Sequence, residues 1–168
     1  MIKRHNQVVK PNDTVYHLGD FAFGDGLSYP EKFFNRLNGK KILIKGNHDA
    51  KTTLNLKWDS IHDLHEIGYK GIKIVMCHYA MRTWNKSHAG AYQLHGHSHS
   101  AYKETSDSSF DVGVDGWNYT PLSIDQVVDK MEWKLKNVDY FSSEEYSNRT
   151  LTKEATYSEN KRMNSLFY

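Results

Sequence analysis

Between Lys41 and Asp49 an apolar, β-branched run ends abruptly in a glycine and is followed at once by three polar residues, Lys41-Ile-Leu-Ile-Lys-Gly-Asn-His-Asp49. That pattern is a buried strand delivering polar side chains from its carboxyl end, and it narrows the folds open to the chain. Three other stretches repeat the plan. Val15-Tyr-His-Leu-Gly-Asp20 precedes it, while Ile72-Lys-Ile-Val-Met-Cys-His78 and Tyr92-Gln-Leu-His-Gly-His-Ser-His99 follow. Strands of this kind, alternating with loops and helices, belong to an α/β layered sheet. Ligands of such sheets bind at the carboxyl ends of the strands.

The rest of the chain supplies the punctuation. Residues 1–10 read as the end of a helix, with Ile2, His5, Asn6 and Val9 on one face, and Pro11-Asn-Asp13 reads as a turn. Thr14 to Leu18 is a strand. Ser28 and Glu31 form a Ser-x-x-Glu capping box around Pro30, opening a helix with Phe33, Phe34 and Leu37 on its apolar face. Asn38-Gly39 stops that helix. Leu64 to Tyr69 and Gly71 to Cys77 form a tight hairpin, whereas residues 50–62 carry no decisive pattern. Phe110 to Val114 alternates as a last strand. Ser123 and Gln126 form a second capping box, ahead of a helix with Ile124, Val127, Val128, Met131 and Leu135 on one face. Beyond Asn137 the composition turns polar. The chain thus divides into a domain over 1–138 and a polar tail over 139–168, in which Phe141, Tyr146, Leu166 and Phe167 are the residues able to dock.

At 168 residues the chain fits one domain of roughly 100–200 residues. Net charge is +2 with the basic residues scattered, which argues against a dedicated nucleic-acid surface but leaves nucleic acid open as a substrate. A lone cysteine, Cys77, excludes an internal disulfide framework and points to a reducing compartment. The first residues lack the apolar segment of a secretory signal, and no apolar run approaches the roughly 20 residues that span a bilayer. The expectation is a soluble cytoplasmic protein with no membrane partner.

The chemistry lies at the strand ends. Asp20, Asn47, His78, His97 and His99 offer carboxylate oxygen, amide oxygen and imidazole nitrogen. That donor mixture suits Mn, Fe, Zn or Ni better than Ca or Mg. A carboxylate can bridge two ions, and His97 and His99, set in a glycine-flanked turn, can serve different ones. The arrangement fits a dinuclear site whose ions lie roughly 3.5–4 Å apart. His48, between Asn47 and Asp49, has the character of a general acid oriented by a carboxylate. His88, with Arg82, sits on a loop after His78 that could reach a phosphate, though a solvated surface position is the simpler reading. His17 reads as a core histidine, Cys77 as a small packing residue, and His62, His65 and His95 as surface or partly buried spacers.

Gly19-Asp20, Gly46-Asn-His-Asp49, Cys77-His78 and Gly96-His-Ser-His99 stand in the order of the calcineurin-like metallophosphoesterase motifs, which residues 5 to 135 resemble. His78-Tyr-Ala-Met-Arg-Thr-Trp84 and Gly113-Val-Asp-Gly-Trp-Asn-Tyr-Thr-Pro121 look like a small bacterial and phage branch of that superfamily. The resemblance implies a layered β-sheet sandwich with flanking helices. It implies Asp20 as the bridging ligand, with Asn47, His78 and His97 completing one metal site and His99 serving the other. It implies His48 as the acid that protonates the leaving group, with Asp49 supporting it. The reaction implied is hydrolysis of a phosphomonoester or phosphodiester by metal-activated hydroxide, with one or two divalent ions, manganese foremost. The substrate would be a phosphate-ester small molecule or a nucleotide.

One motif of the family has no counterpart. The opening strand ending in Asp-x-His is missing upstream of Asp20, and the first residues resemble the helix that follows it. The expectation is a truncated start, a neighbouring strand edge left unpaired, and a second metal site reduced to Asp20 and His99 unless His5 or His17 substitutes. A non-catalytic, metal-binding member of the superfamily is the alternative reading.

Overall fold

A computed structural model of the chain describes residues 1–22, 29–101, 106–137 and 165–167. The order of elements is α1 (Ile2–Val8), β1 (Thr14–His17), α2 (Tyr29–Phe34), β2 (Lys40–Ile44), α3 (Lys51–Leu54), β3 (Ser60–His62), β4 (Leu64–Tyr69), β5 (Ile72–Cys77), β6 (Tyr92–His95), β7 (Ser109–Asp111), β8 (Leu122–Ser123), α4 (Ile124–Lys136) and β9 (Ser165–Phe167). Single turns of 3-10 helix cover Ser87–Ala89 and Val114–Trp117.

The strands form two mixed sheets, flanked by helices. The first has the order β3-β2-β1-β9-β8, and β1, β2, β3 and β9 run parallel in it. The second has the order β4-β5-β6-β7, with β4 antiparallel to β5 and the other pairs parallel. One core cluster joins them. It takes Tyr16, Ile44 and Phe167 from the first sheet, Ile74, Met76, Leu94 and Phe110 from the second, and Ile124, Val127 and Met131 from α4. The period-2 alternation of a strand decides the sorting. Tyr16 faces this shared core, while its neighbour Val15 joins Val9 and Leu166 in a separate cluster. Trp84 closes a third cluster with Val75 and Ala91, and its indole N–H donates to the Ala91 carbonyl at 2.9 Å, fixing the loop that follows β5.

The second capping box is formed as expected. The Ser123 side chain accepts from the Gln126 N–H, and the Gln126 side chain accepts from the Ser123 N–H. Two helix faces differ from expectation. Leu135 is exposed and Lys134 is buried, because the Lys134 ammonium donates to the backbone carbonyls of Ser106 and Ser109 while its stem packs inward. Phe33 is exposed, Leu37 is half-buried, and Phe34 is buried, edge-on to Phe21 and Trp58. Ser28, and with it the first capping box, lies outside the described residues, as do Phe141 and Tyr146.

The last strand of the second sheet begins at Ser109 and ends at Asp111 instead of running from Phe110 to Val114. Residues 50–62, undecided by pattern, contain α3 and β3. The expected open strand edge is filled. β9 pairs with β1 in parallel, Val15 opposite Leu166 and Tyr16 opposite Phe167, and with β8 on its other side. Leu166 and Phe167 are buried there, so this end of the expected tail belongs to the sheet. No helix among the described residues is long and apolar enough to cross a membrane.

Candidate metal centre

The parallel strands bring β1, β2, β5 and β6 to one end of the two sheets, and the polar residues after them meet there. Three glycines make the approach possible. A Cβ on Gly46 would lie inside 3.0 Å of Asp20 Oδ1, the Asp20 nitrogen and His78 Cε1. One on Gly19 would lie inside 3.0 Å of His78 Nδ1 and the Gly46 backbone. Gly96 sits against the Leu18 carbonyl, 3.1 Å from where its Cβ would be. Side chains at these positions would hold the strand ends apart.

His78 is the centre of the cluster. It is 1% exposed, and Nδ1 lies 2.6 Å from the Leu18 carbonyl oxygen. A carbonyl only accepts, so Nδ1 carries a proton and Nε2 is the atom turned to the cluster. That Nε2 faces Asn47 Oδ1 at 3.0 Å, His97 Nδ1 at 3.2 Å and Asp20 Oδ2 at 3.4 Å. Oxygen and nitrogen atoms of three other side chains therefore gather around Nε2. A proton on Nε2 would satisfy one of these contacts; a cation seated among the four atoms would meet all of them. Asp20, His78 and His97 are the group of three or more His, Cys, Asp and Glu residues among the described residues able to hold a metal ion. The donor set is two oxygens and two imidazole nitrogens, which fits a divalent transition metal.

Backbone conformation tells the same story. Eight non-glycine residues among the described ones have positive φ, and Asp20, His97, His99 and Ser100 are four of them. Such conformations cost energy and are retained where the surroundings enforce them, which makes this cluster a candidate site.

Asp20 is held through both ends. Its Oδ1 accepts from the His48 backbone N–H at 2.8 Å, leaving Oδ2 to the cluster. Its own N–H donates to Asp49 Oδ2 at 3.0 Å. Asp49 has a structural role that was not expected. Its carboxylate, 7% exposed, accepts from the backbone N–H groups of Asp20, Phe21 and Gly46, so it ties β1 to β2 beneath the ligands. His48 is exposed at the mouth of the site. His99 stands apart from this cluster, and its Nδ1 lies 2.6 Å from Asp115 Oδ2. Neither His5 nor His17 takes up the second-site role. His5 Nε2 lies 2.9 Å from the Asn38 carbonyl, and the His17 ring packs edge-on to Phe21 and Trp58.

Other histidines sort by their surroundings. His65 stacks on Tyr16, His62 lies beside Ser60 and His65, and His95 is fully buried, not a surface spacer. Sequence reasoning missed Asp111, Asp115 and Tyr79. Tyr79 is 47% exposed, and its ring stands edge-on to both His78 and His97 at the rim. The two acids of Asp111-Val-Gly-Val-Asp115, set around a glycine at the end of a strand, were the available signal for the other two.

No protein-family model matches the chain. Over 139 residues, 79% of this chain and 73% of the other, it is 29% identical to the uncharacterized protein MJ1445 of Methanocaldococcus jannaschii. Among solved structures it is similar to the protein of unknown function AQ665 from Aquifex aeolicus, with a TM-score of 0.60 and 27% identity over 77% of this chain and 82% of that one.

Proposed function

We propose that this chain is a metal-dependent phosphoesterase with the calcineurin-like layered fold, acting on a phosphomonoester or phosphodiester. The observation that carries the reading is the gathering of Asp20 Oδ2, Asn47 Oδ1 and His97 Nδ1 within 3.4 Å of His78 Nε2. Those four residues would hold a divalent transition metal, with manganese the first choice. Bound there, the metal supplies Lewis acidity toward a phosphoryl oxygen and lowers the pKa of a coordinated water. The turn of His99 toward Asp115 favours one ion over two.

The chain's own residues supply the remainder. Asp20, anchored by the His48 and Asp49 contacts, fixes the anionic side of the site. His48, next to the ligand Asn47, protonates the leaving alkoxide. A non-catalytic metal-binding role is the second reading, favoured by the same single-ion geometry.

The test is hydrolysis of bis-p-nitrophenyl phosphate by chelator-treated protein with added Mn2+. Turnover should require the metal and vanish in Asp20→Ala. In His48→Ala it should fall by about 10²–10⁴-fold while metal binding persists. Metal binding with no turnover on mono- or diester substrates would leave the non-catalytic reading standing.

A further inference from the structure

We propose that Asp111 is a positioning residue for His97: its carboxylate fastens the Gly96–Ser100 turn to the end of β7 and so sets the direction from which the His97 ring meets the metal. The inference rests on the metal reading given above. Asp111 is 7% exposed, a buried anion with a full set of donors. Its Oδ2 accepts from the Ser98 hydroxyl at 2.7 Å and from the Ser100 N–H at 3.0 Å, while Oδ1 accepts from the Gly113 N–H at 2.7 Å. Its carbonyl accepts from the Trp117 indole at 3.1 Å. The side chain is therefore fixed on β7 before it touches the turn.

The turn needs such a tie. His97, His99 and Ser100 all have positive φ, a conformation that non-glycine residues adopt only when held. Ser98 and Ser100, on either side of His99, are the two points at which Asp111 holds this segment, and His97 emerges on the metal side. Strand register delivers the carboxylate to the right place, since His95 lies opposite Asp111 and the Val112 N–H donates to the His95 carbonyl at 2.9 Å. The next carboxylate continues the arrangement. Asp115 takes His99 Nδ1, and Gly113 lies between the two acids, where a Cβ would stand 2.9 Å from an oxygen of each. The segment Asp111–Asp115 thus points His97 at the cluster and His99 away from it.

Asp111→Asn keeps the shape but removes one acceptor, so either Gly113 or the Ser98 and Ser100 pair loses its partner. Ser98→Ala removes one tie without altering β7. Both variants and the parent are stripped of metal, checked for an unchanged thermal midpoint, and titrated with Co2+ by visible absorption. Asp111→Asn should bind Co2+ about 10–100-fold more weakly with an altered d–d spectrum. Ser98→Ala should weaken binding about fivefold in the same direction. If Asp111→Asn does not fold, Ser98→Ala decides the matter. Parent-like affinity and spectrum in the folded variants would overturn this inference alone. A parent protein that binds no Co2+ would overturn the metal reading and this inference with it.

Discussion

Replacing Asp49 by alanine separates two roles for that residue. As a support for His48, it would affect turnover and little else. As the clamp between β1 and β2, it holds the backbone that carries Asp20. Its two oxygens accept from Asp20, Phe21 and Gly46 at 3.0, 2.9 and 2.8 Å. A hydrogen bond to a charged group contributes about 1.5–3 kcal/mol, but three donors sharing one anion do not add fully. The Gly46 donor is buried and the other two partly so, which lets water recover part of the loss. Asp49→Ala should therefore cost about 3 kcal/mol of a total of roughly 5–15. With a urea dependence near 2 kcal/mol per molar, the unfolding midpoint should fall by about 1.5 M. Urea unfolding followed by circular dichroism, with and without Mn2+, gives both stability and coupling to the metal. The metal-induced shift of the midpoint should shrink as well, because Asp20 is no longer fixed. An unchanged midpoint and metal response, with turnover alone lost, would refute the clamp and return Asp49 to His48.

Gly46→Ala should lose metal affinity along with about 1–3 kcal/mol of stability, because its Cβ meets Asp20 and His78; Gly71→Ala, at φ 82 with open space around it, should lose only stability, about 1–2 kcal/mol, and metal titration of the two variants distinguishes them. Phe167→Ala removes a fully buried ring stacked on Tyr16 and should cost about 3–5 kcal/mol by urea unfolding; a cost below about 1 kcal/mol would mean that β9 does not complete the sheet. Burial, reinforced by the neighbouring His5 and His78, pushes His17 down from 6.5 to about 3. The unfolded chain then binds a proton that the folded one refuses, so stability should be full above pH 6.5 and fall as pH drops toward 3, by up to about 1.4 kcal/mol per pH unit. Burial lowers His5 in the same direction. His17→Gln should flatten that slope between pH 7 and 5, and an unaltered slope would remove His17 as its source.

The parts of this molecule legible in the sequence were those set by local rules. The runs ending in Gly46, Cys77 and Gly96 became strands because pattern and punctuation act within a few residues. The Ser123–Gln126 box closed because both partners lie in one turn. Asp20, Asn47, His78 and His97 were nameable because each follows a strand directly, and parallel strands carry their ends to one place. What could not be read was the direction of side chains after those ends. Asp49 was assigned to the adjacent His48, yet its carboxylate reaches backward to N–H groups whose position depends on two strands packing together. His99 differs from His97 by two positions, but Asp115, brought in by a later 3-10 turn, redirects it. Lys134 and Leu135 exchanged places for a similar reason. Helical periodicity places both near the boundary of the buried face, and the free carbonyls of Ser106 and Ser109 decide in favour of the lysine. Leu166 and Phe167 could be named as able to dock, but not as a strand, since three residues carry too short a pattern to show one.

A crystal of the protein soaked in MnCl2 and measured for anomalous scattering addresses the central claim at once. One peak surrounded by Asp20 Oδ2, Asn47 Oδ1, His78 Nε2 and His97 Nδ1 is the predicted result. An ordered cluster with no peak, its side chains satisfied by protons and water alone, would contradict it.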